Sequence, residues 1–268
     1  MSDDHISGSS RDADLELLVD AARRAGDVAL GFFGKDPQTW FKDNNSPVSE
    51  ADLTVDRFLA DALLTARPDY GWLSEETADN PDRLEKKRTF IVDPIDGTRA
   101  FLAGGEEWTI VLAIVESGRP VSGVVFCPVR DEMFEAATGN GAYLNGKRIV
   151  VSSPSGIEGA TLTGPHSIVA NKDVLGAGFQ RTANVRSLAY RIALVAKGSV
   201  DVAAARASAS DWDLAAADLL VQEAGGRLTD FTGHGVLYNK PETRHPALIA
   251  AADPLVKPVC EALSRAIG

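Results

Sequence analysis

The chain reads as a mixed α/β protein, α+β in its first half, in which helices cover sheets in layers. Two observations predict this. The first is the order of patterns: two helical periodicities, then a run of strands with no helix between them, then strands and helices in alternation. The second is that the strands at 89–92, 109–115 and 121–126 are near-continuous apolar runs, which implies sheet buried on both faces.

The elements follow in order. Residues 1–10 are polar and acidic, and are expected to form a disordered leader. Leu15, Leu18, Ala22, Ala25, Ala29 and Phe32 then recur at alternating steps of three and four, with Gly34 just beyond, so an amphipathic helix closed by a glycine is predicted. A loop over 42–48 leads to a second helix over 50–66. Its start carries Ser49 with Asp52 three residues on, an S-x-x-D capping box. After the three apolar strands and a fourth at 133–137, Asn145-Gly146 makes a tight hairpin turn between 143–144 and 148–151.

The Ser, Gly and Pro of 152–159 mark a boundary, so 11–154 forms an N-terminal half and 155–268 a C-terminal one. Beyond it come a strand at 161–163, a helix at 188–196, a strand at 200–205 and a helix at 214–224 ended by Gly225-Gly226. Short strands near 227–230 and 247–251 and a helix from about Pro254 finish the chain.

At 268 residues the chain buries a core without disulfides, and Cys127 and Cys260 read as two buried thiols of a reducing compartment. No stretch approaches the roughly 18 uninterrupted apolar residues of a membrane span, and the first residues lack the apolar run of a secretion signal. A soluble cytoplasmic protein is expected. The formal net charge of -11 repels nucleic acid and acidic lipid, and no run of Lys or Arg relieves it locally, so neither is an expected partner. An anionic substrate would therefore need a recruited cation.

The most informative segment is Asp93-Pro94-Ile95-Asp96-Gly97-Thr98, directly after an apolar strand. A strand end that delivers two carboxylates three residues apart, with proline fixing the turn and glycine releasing it, aims both at one point. Hard cations take such oxygens, but two carboxylates hold magnesium weakly and others must converge. Glu75-Glu76, after Trp72-Leu73-Ser74, offers one more: adjacent side chains diverge in extended chain, so one would reach a metal and the other face water or a partner. Asp213, in Asp211-Trp212-Asp213-Leu214, stands at a helix start, as a cap or as a ligand.

With Ser46-Pro47-Val48-Ser49-Glu50-Ala51-Asp52, these segments resemble the inositol monophosphatase superfamily in order and spacing, over about 46–226. The resemblance implies a layered αβαβα sandwich, a homodimer, and a phosphatase for a small phosphate monoester. It implies two or three magnesium ions, with manganese as a possible substitute, held by Glu75, Asp93, the Ile95 carbonyl, Asp96 and Asp213. Thr98, supported by Asp52, takes the place of the pair that orients the attacking water, and Gly97 and Thr98 would offer backbone N–H groups to the phosphate. Four carboxylates alone would repel a phosphate dianion, whereas the bound ions attract it and activate water for in-line displacement. Lithium sensitivity is implied by the resemblance alone.

Rival classes fit less well. Aspartate-nucleophile phosphatases of the haloacid dehalogenase type also place two acids before Gly-Thr, but two residues apart and not three. No G-x-x-x-x-G-K-[ST] loop supports a kinase, and His5, His166, His234 and His245 lack zinc spacing. A regulatory or RNA-associated partner role, as in some bacterial members of the superfamily, is the alternative from another class. For the substrate, Arg206 stands where inositol phosphatases carry a glutamate, seven residues before Asp213. A guanidinium suits a second phosphate, although Arg206 reads equally as a surface charge. The expectation therefore leans to 3'(2'),5'-bisphosphate nucleotides, with inositol monophosphate close behind and fructose 1,6-bisphosphate or histidinol phosphate as further alternatives.

Overall fold

The computed structural model describes residues 8–42, 46–183 and 185–267, so the first seven residues of the expected leader, and part of the 42–48 loop, lie outside the described residues. Helix α1 (Gly8–Leu30) is followed by an antiparallel pair, β1 (Thr39–Phe41) and β2 (Pro47–Ser49), and by α2 (Glu50–Ala66). Seven strands come next: β3 (Gly71–Ser74), β4 (Arg88–Asp96), β5 (Thr109–Glu116), β6 (Arg119–Cys127), β7 (Glu132–Ala137), β8 (Gly141–Leu144) and β9 (Lys147–Ile149), with short α3 (Thr98–Leu102) after β4. The remainder runs β10 (Thr161–Thr163), α4 (His166–Val169), α5 (Lys172–Gly176), β11 (Gln180–Arg181), α6 (Leu188–Ala196), β12 (Val202–Ala205), α7 (Asp211–Glu223), β13 (Gly226–Asp230), β14 (Leu248–Ala252) and α8 (Asp253–Ile267).

The first sheet runs β3-β4-β5-β6-β7-β8-β9, antiparallel except for the β3/β4 pair. Alternation along β4 sends Phe90 and Val92 to one face and Ile91 to the other, and both faces are covered. On one side α1 and α2 pack Leu18, Ala25, Val55 and Leu59 against Phe90, Leu112 and Val124. On the other, α6 and α7 lie between this sheet and the second, β11-β10-β12-β14-β13, with Ile192, Leu214 and Leu219 joining Val111 and Val125 to Ala203 and Ala250. Helix α8, with α4 and α5, covers the outer face through Leu255, Val259 and Leu263. The layers are α, β, α, β, α, as expected.

Most elements fall within a few residues of their predicted places. In the β8/β9 hairpin Asn145 and Gly146 both take positive φ (49 and 73°), as a tight turn with the strand twist requires. Helix α1 stops at Leu30, and the chain makes another loosened turn before Gly34 at φ +73°. Strand β3 escaped prediction because four residues pairing parallel to β4 are too short to show a period. Helix α7 begins at Asp211 and not at Leu214, which puts Asp213 inside its first turn. Among the described residues no helix is long and apolar enough to cross a membrane.

Helix α7 lies close on the first sheet because small residues face each other: a Cβ on Gly123 of β6 would sit 2.9 Å from Ala216 Cα, a backbone atom of the helix. Gly123→Ala is expected to lower stability by about 1–3 kcal/mol in urea unfolding through this overpacking. Gly156→Ala, where nothing lies within 4 Å, should stay within about 0.5 kcal/mol of the parent.

Candidate active site

Strand β4 ends in an irregularity. Asp93 pairs with Val111 and Asp96 with Thr109, so three steps on β4 answer two on β5, and the bulge turns the Asp96 side chain to the same side as Asp93. The first turn of α7 meets this point, and carboxylate oxygens of Asp93, Asp96 and Asp213 all lie within 4.8 Å of one another.

Each aspartate is held by backbone or hydroxyl donors. Asp96 Oδ2 accepts from Ser187 Oγ (2.6 Å) and from the Ala189 N–H (2.7 Å) at the start of α6. Asp213 Oδ2 accepts from the Ser210 N–H (2.7 Å), the N-cap of α7. Asp52 repeats this on α2, with Oδ2 accepting from the Ser49 N–H at 2.8 Å and Oδ1 accepting from Thr98 Oγ1 at 3.1 Å. One oxygen of Asp52 thus serves the capping box and the other accepts from Thr98. Asp93 Oδ1 closes an Asx turn by accepting from the Ile95 N–H (3.1 Å). Ser210-x-x-Asp213 has the same spacing as Ser49-x-x-Asp52; this second capping box was in the sequence and went unread.

Burial, then the neighbouring carboxylates of Glu75 and the cluster itself, hold Asp93 and Asp213 well above the usual carboxylate range. Burial raises Asp96 as well, against the helix-start donors that favour its anion. Two buried acids and the half-buried Asp213, with one oxygen of each converging, are a poor arrangement for protons and a good one for a hard divalent cation, which takes carboxylate oxygens and neutralises them. The donor set fits magnesium.

The other expected residues lie around this cluster. Glu75 borders the same cleft, and its Oε1 accepts from Lys42 Nζ (2.9 Å). Lys42 also donates to Glu76 Oε1 (2.8 Å), so the second glutamate faces a partner; burial raises its pKa to about 7. Lys42 went unread because its loop gave no pattern. Asp56, one turn after Asp52, accepts from Thr77 Oγ1 (2.6 Å) and from Ser74 Oγ, and so fixes the chain on both sides of Glu75. The Ile95 carbonyl lies 3.1 Å from Thr98 Oγ1, whose single proton is shared between it and Asp52. Gly97 takes φ +93°, and a Cβ there would meet Ser187 at 3.3 Å, so glycine lets α6 approach Asp96.

The acids line a cleft of about 720 Å³. Four guanidinium side chains line it too, those of Arg99, Arg186, Arg191 and Arg206, with His166. Arg191 is buried, and its guanidinium donates only to the Val185 and Ala204 carbonyls; among the described residues it has no ion pair. Desolvation lowers its pKa, as does Arg206 nearby, while Asp96 acts to raise it. Sequence reading found Arg206 and missed the others because they come from separate segments. A signal existed in Leu188–Ala196, where Arg191 is the one charge in an otherwise apolar helix.

The Inositol monophosphatase family model matches residues 11–263. The chain belongs to the inositol monophosphatase family. It is 36% identical to an inositol-1-monophosphatase of Rhizobium meliloti over 240 residues, 84% of this chain and 88% of that one. It is 32% identical to the Nus factor SuhB of Pasteurella multocida over 263 residues, 91% and 93% of the two chains. The crystal structure of the extragenic suppressor protein suhB from Bartonella henselae superposes with a TM-score of 0.85 at 30% identity, covering 95% of this chain and all of that one. The protein is thus a phosphatase of a metal-dependent family, a phosphoric monoester hydrolase with an α+β fold.

Two outcomes follow from the site's geometry. Asp93→Asn should lower turnover by more than about a hundredfold, above the 10–100-fold typical for groups behind a metal ligand. Its metal-free urea midpoint should be no lower than the parent's, because a buried like charge is removed. Ser187→Ala, which removes one donor to Asp96, should raise the magnesium concentration needed for half-maximal activity by roughly 10–100-fold, measured by phosphate release under magnesium titration.

Proposed function

We propose that this phosphatase removes phosphate from a small monoester that carries a second anionic group, with 3'(2'),5'-bisphosphate nucleotides such as 3'-phosphoadenosine 5'-phosphate as the favoured class. The observation that carries this is Arg191: a buried guanidinium with no ion pair among the described residues, beside Arg206 and lining the same cleft as the acid cluster. A buried charge without a counter-ion costs several kcal/mol. A second phosphate on the substrate would supply the missing anion with geometry that suits a guanidinium. A neutral polyol would leave Arg186, Arg191 and Arg206 uncompensated, and the ammonium of histidinol phosphate would be repelled by them.

Glu75, Asp93, the Ile95 carbonyl, Asp96 and Asp213 would hold two or three magnesium ions, or manganese in their place. When bound, these ions supply Lewis-acid stabilisation of the phosphoryl oxygens and lower the pKa of a nearby water. Thr98 would orient that water, since Asp52 and the Ile95 carbonyl take its proton and leave its lone pairs to the cleft. Gly97 and Thr98 would offer N–H groups to the phosphate, and Glu75 would accept from the water. The charge balance then closes with cations at the acids and substrate anions at the arginines. A homodimer is the proposed assembly, by likeness to the family.

A second reading, a regulatory partner role, is favoured by the likeness to the Pasteurella multocida Nus factor. An Asp96→Asn chain that restores the cellular phenotype of a strain lacking the protein would support it.

The test is phosphate release, with magnesium and with chelator, from 3'-phosphoadenosine 5'-phosphate, inositol 1-phosphate, fructose 1,6-bisphosphate and histidinol phosphate. The nucleotide should give the highest kcat/KM, and all activity should vanish with chelator. Arg206→Gln should raise the KM for the nucleotide about tenfold, the worth of one charge-assisted contact, and leave that for inositol 1-phosphate unchanged. A preference for inositol 1-phosphate that ignores Arg206→Gln would refute the proposal.

A further inference from the structure

The structure assigns to Asp211 and His245 a positioning role: they form a clasp that sets the start of α7, and so Asp213, relative to the strand that carries Asp93 and Asp96. Asp211 is fully buried and lies beside the cluster in sequence, yet it belongs to neither the acid group nor the cleft lining. Its Oδ1 lies 2.6 Å from His245 Nε2, and its Oδ2 accepts from the Asn239 N–H at 2.7 Å. The same Asn239 reaches the other side of the site. Its Nδ2 donates to Thr89 Oγ1 (3.0 Å) in β4, four residues before Asp93, and its Oδ1 accepts from Arg83 Nη1 (2.7 Å). Three side chains, those of Thr89, Asn239 and Asp211, and the Asn239 N–H thus tie the strand of Asp93 to the helix of Asp213.

The backbone around His245 grips the cleft wall as well. Ser208 N–H donates to the His245 carbonyl and His245 N–H donates to the Ala209 carbonyl, each at 2.8 Å, and Asp211 N–H donates to the Thr243 carbonyl at 2.9 Å. Ser208 holds φ +78°, a left-handed conformation that a serine keeps only under such restraint. Residues Ala205, Arg206, Ala207, Ser208 and Ala209 line the cleft, so the same strap sets this part of its lining. A second staple, seven residues along α7, repeats the attachment: the Tyr238 ring lies 5.6 Å from that of His245, and its hydroxyl donates to Asp218 Oδ2 at 2.9 Å. Seven residues are two helical turns, so Asp211 and Asp218 share one face of α7 and the strap runs along it.

Loss of the His245 ring would leave a buried carboxylate short of one donor, and the first turn of α7 would shift to rehydrate it. Asp213 would then misplace its free oxygen, and ligand convergence would suffer before the fold does. This rests on the reading of the acids as a divalent-cation site.

The experiment uses the full-length protein and direct titration calorimetry of magnesium, with urea unfolding in parallel. The wild type should bind magnesium, His245→Ala should bind it about tenfold more weakly, and His245→Gln should lie within about threefold of wild type, because its amide N–H can replace Nε2 as donor. Asp211→Asn, which keeps the shape but turns an acceptor into a donor, should weaken binding as His245→Ala does. A folded His245→Ala with wild-type affinity overturns the proposal while the cation site stands. A wild type that binds no magnesium removes the cation site and the proposal with it. Unfolding of both His245→Ala and Asp211→Asn also overturns it, since the pair would then serve the fold and not the site.

Discussion

The site depends on one division of labour: an aspartate offers one oxygen to donors at a helix start and keeps the other for the cleft. Asp213 on α7 does this as the third residue of a capping box, and Asp96 does it from a strand end against the start of α6, while Asp52, capping α2 in the same way, gives its other oxygen to Thr98. The helix-start donors lower the cost of burying a carboxylate and fix its plane. They do not cancel it, since Asp96 and Asp213 remain raised by burial. Asp93, Asp96 and Asp213 still bring one oxygen each within 4.8 Å of the others.

That convergence needs the layered fold. Helices α6 and α7 lie between the two sheets, and their starts reach the bulged end of β4 only because the central layer is thin. Its thinness is a matter of small side chains: Gly123 against Ala216, and Gly97 against Ser187. Large apolar residues fill this layer as they fill the outer ones, Tyr190, Leu214 and Leu219 here and Leu18, Leu59 and Leu263 outside. Packing and chemistry therefore meet in the central layer, along the alanine-rich run of α7.

Much of this was legible in the sequence. The long elements carried their own periods, and Asp93-Pro94-Ile95-Asp96-Gly97-Thr98 announced a shaped strand end. Strand β3 was hidden by its length, and Lys42 by its loop. The cationic part of the lining was hidden for a different reason. Arg99, Arg186, Arg191 and Arg206 lie in separate segments, so the statement that no basic run relieves the acidic charge was true of the chain and silent about the fold. The capping box at Ser210 shows the opposite case: its spacing was visible, but Asp213 was weighed as cap or ligand when its two oxygens allow it to be both.

The cleft that results is lined by both charges, the carboxylates of the cluster and the guanidinium groups of Arg99, Arg186, Arg191 and Arg206. The claim on which all this rests is that the capped oxygens stay with the helices while the free ones take metal. Manganese-soaked crystals, with anomalous difference maps, test it most directly. Metal peaks should appear among Asp93, Asp96 and Asp213, with the bonds from Ser187, Ala189 and Ser210 to the other oxygens unchanged. Metal found only at the surface, or capped oxygens that leave their helix starts to reach the ion, would contradict the account.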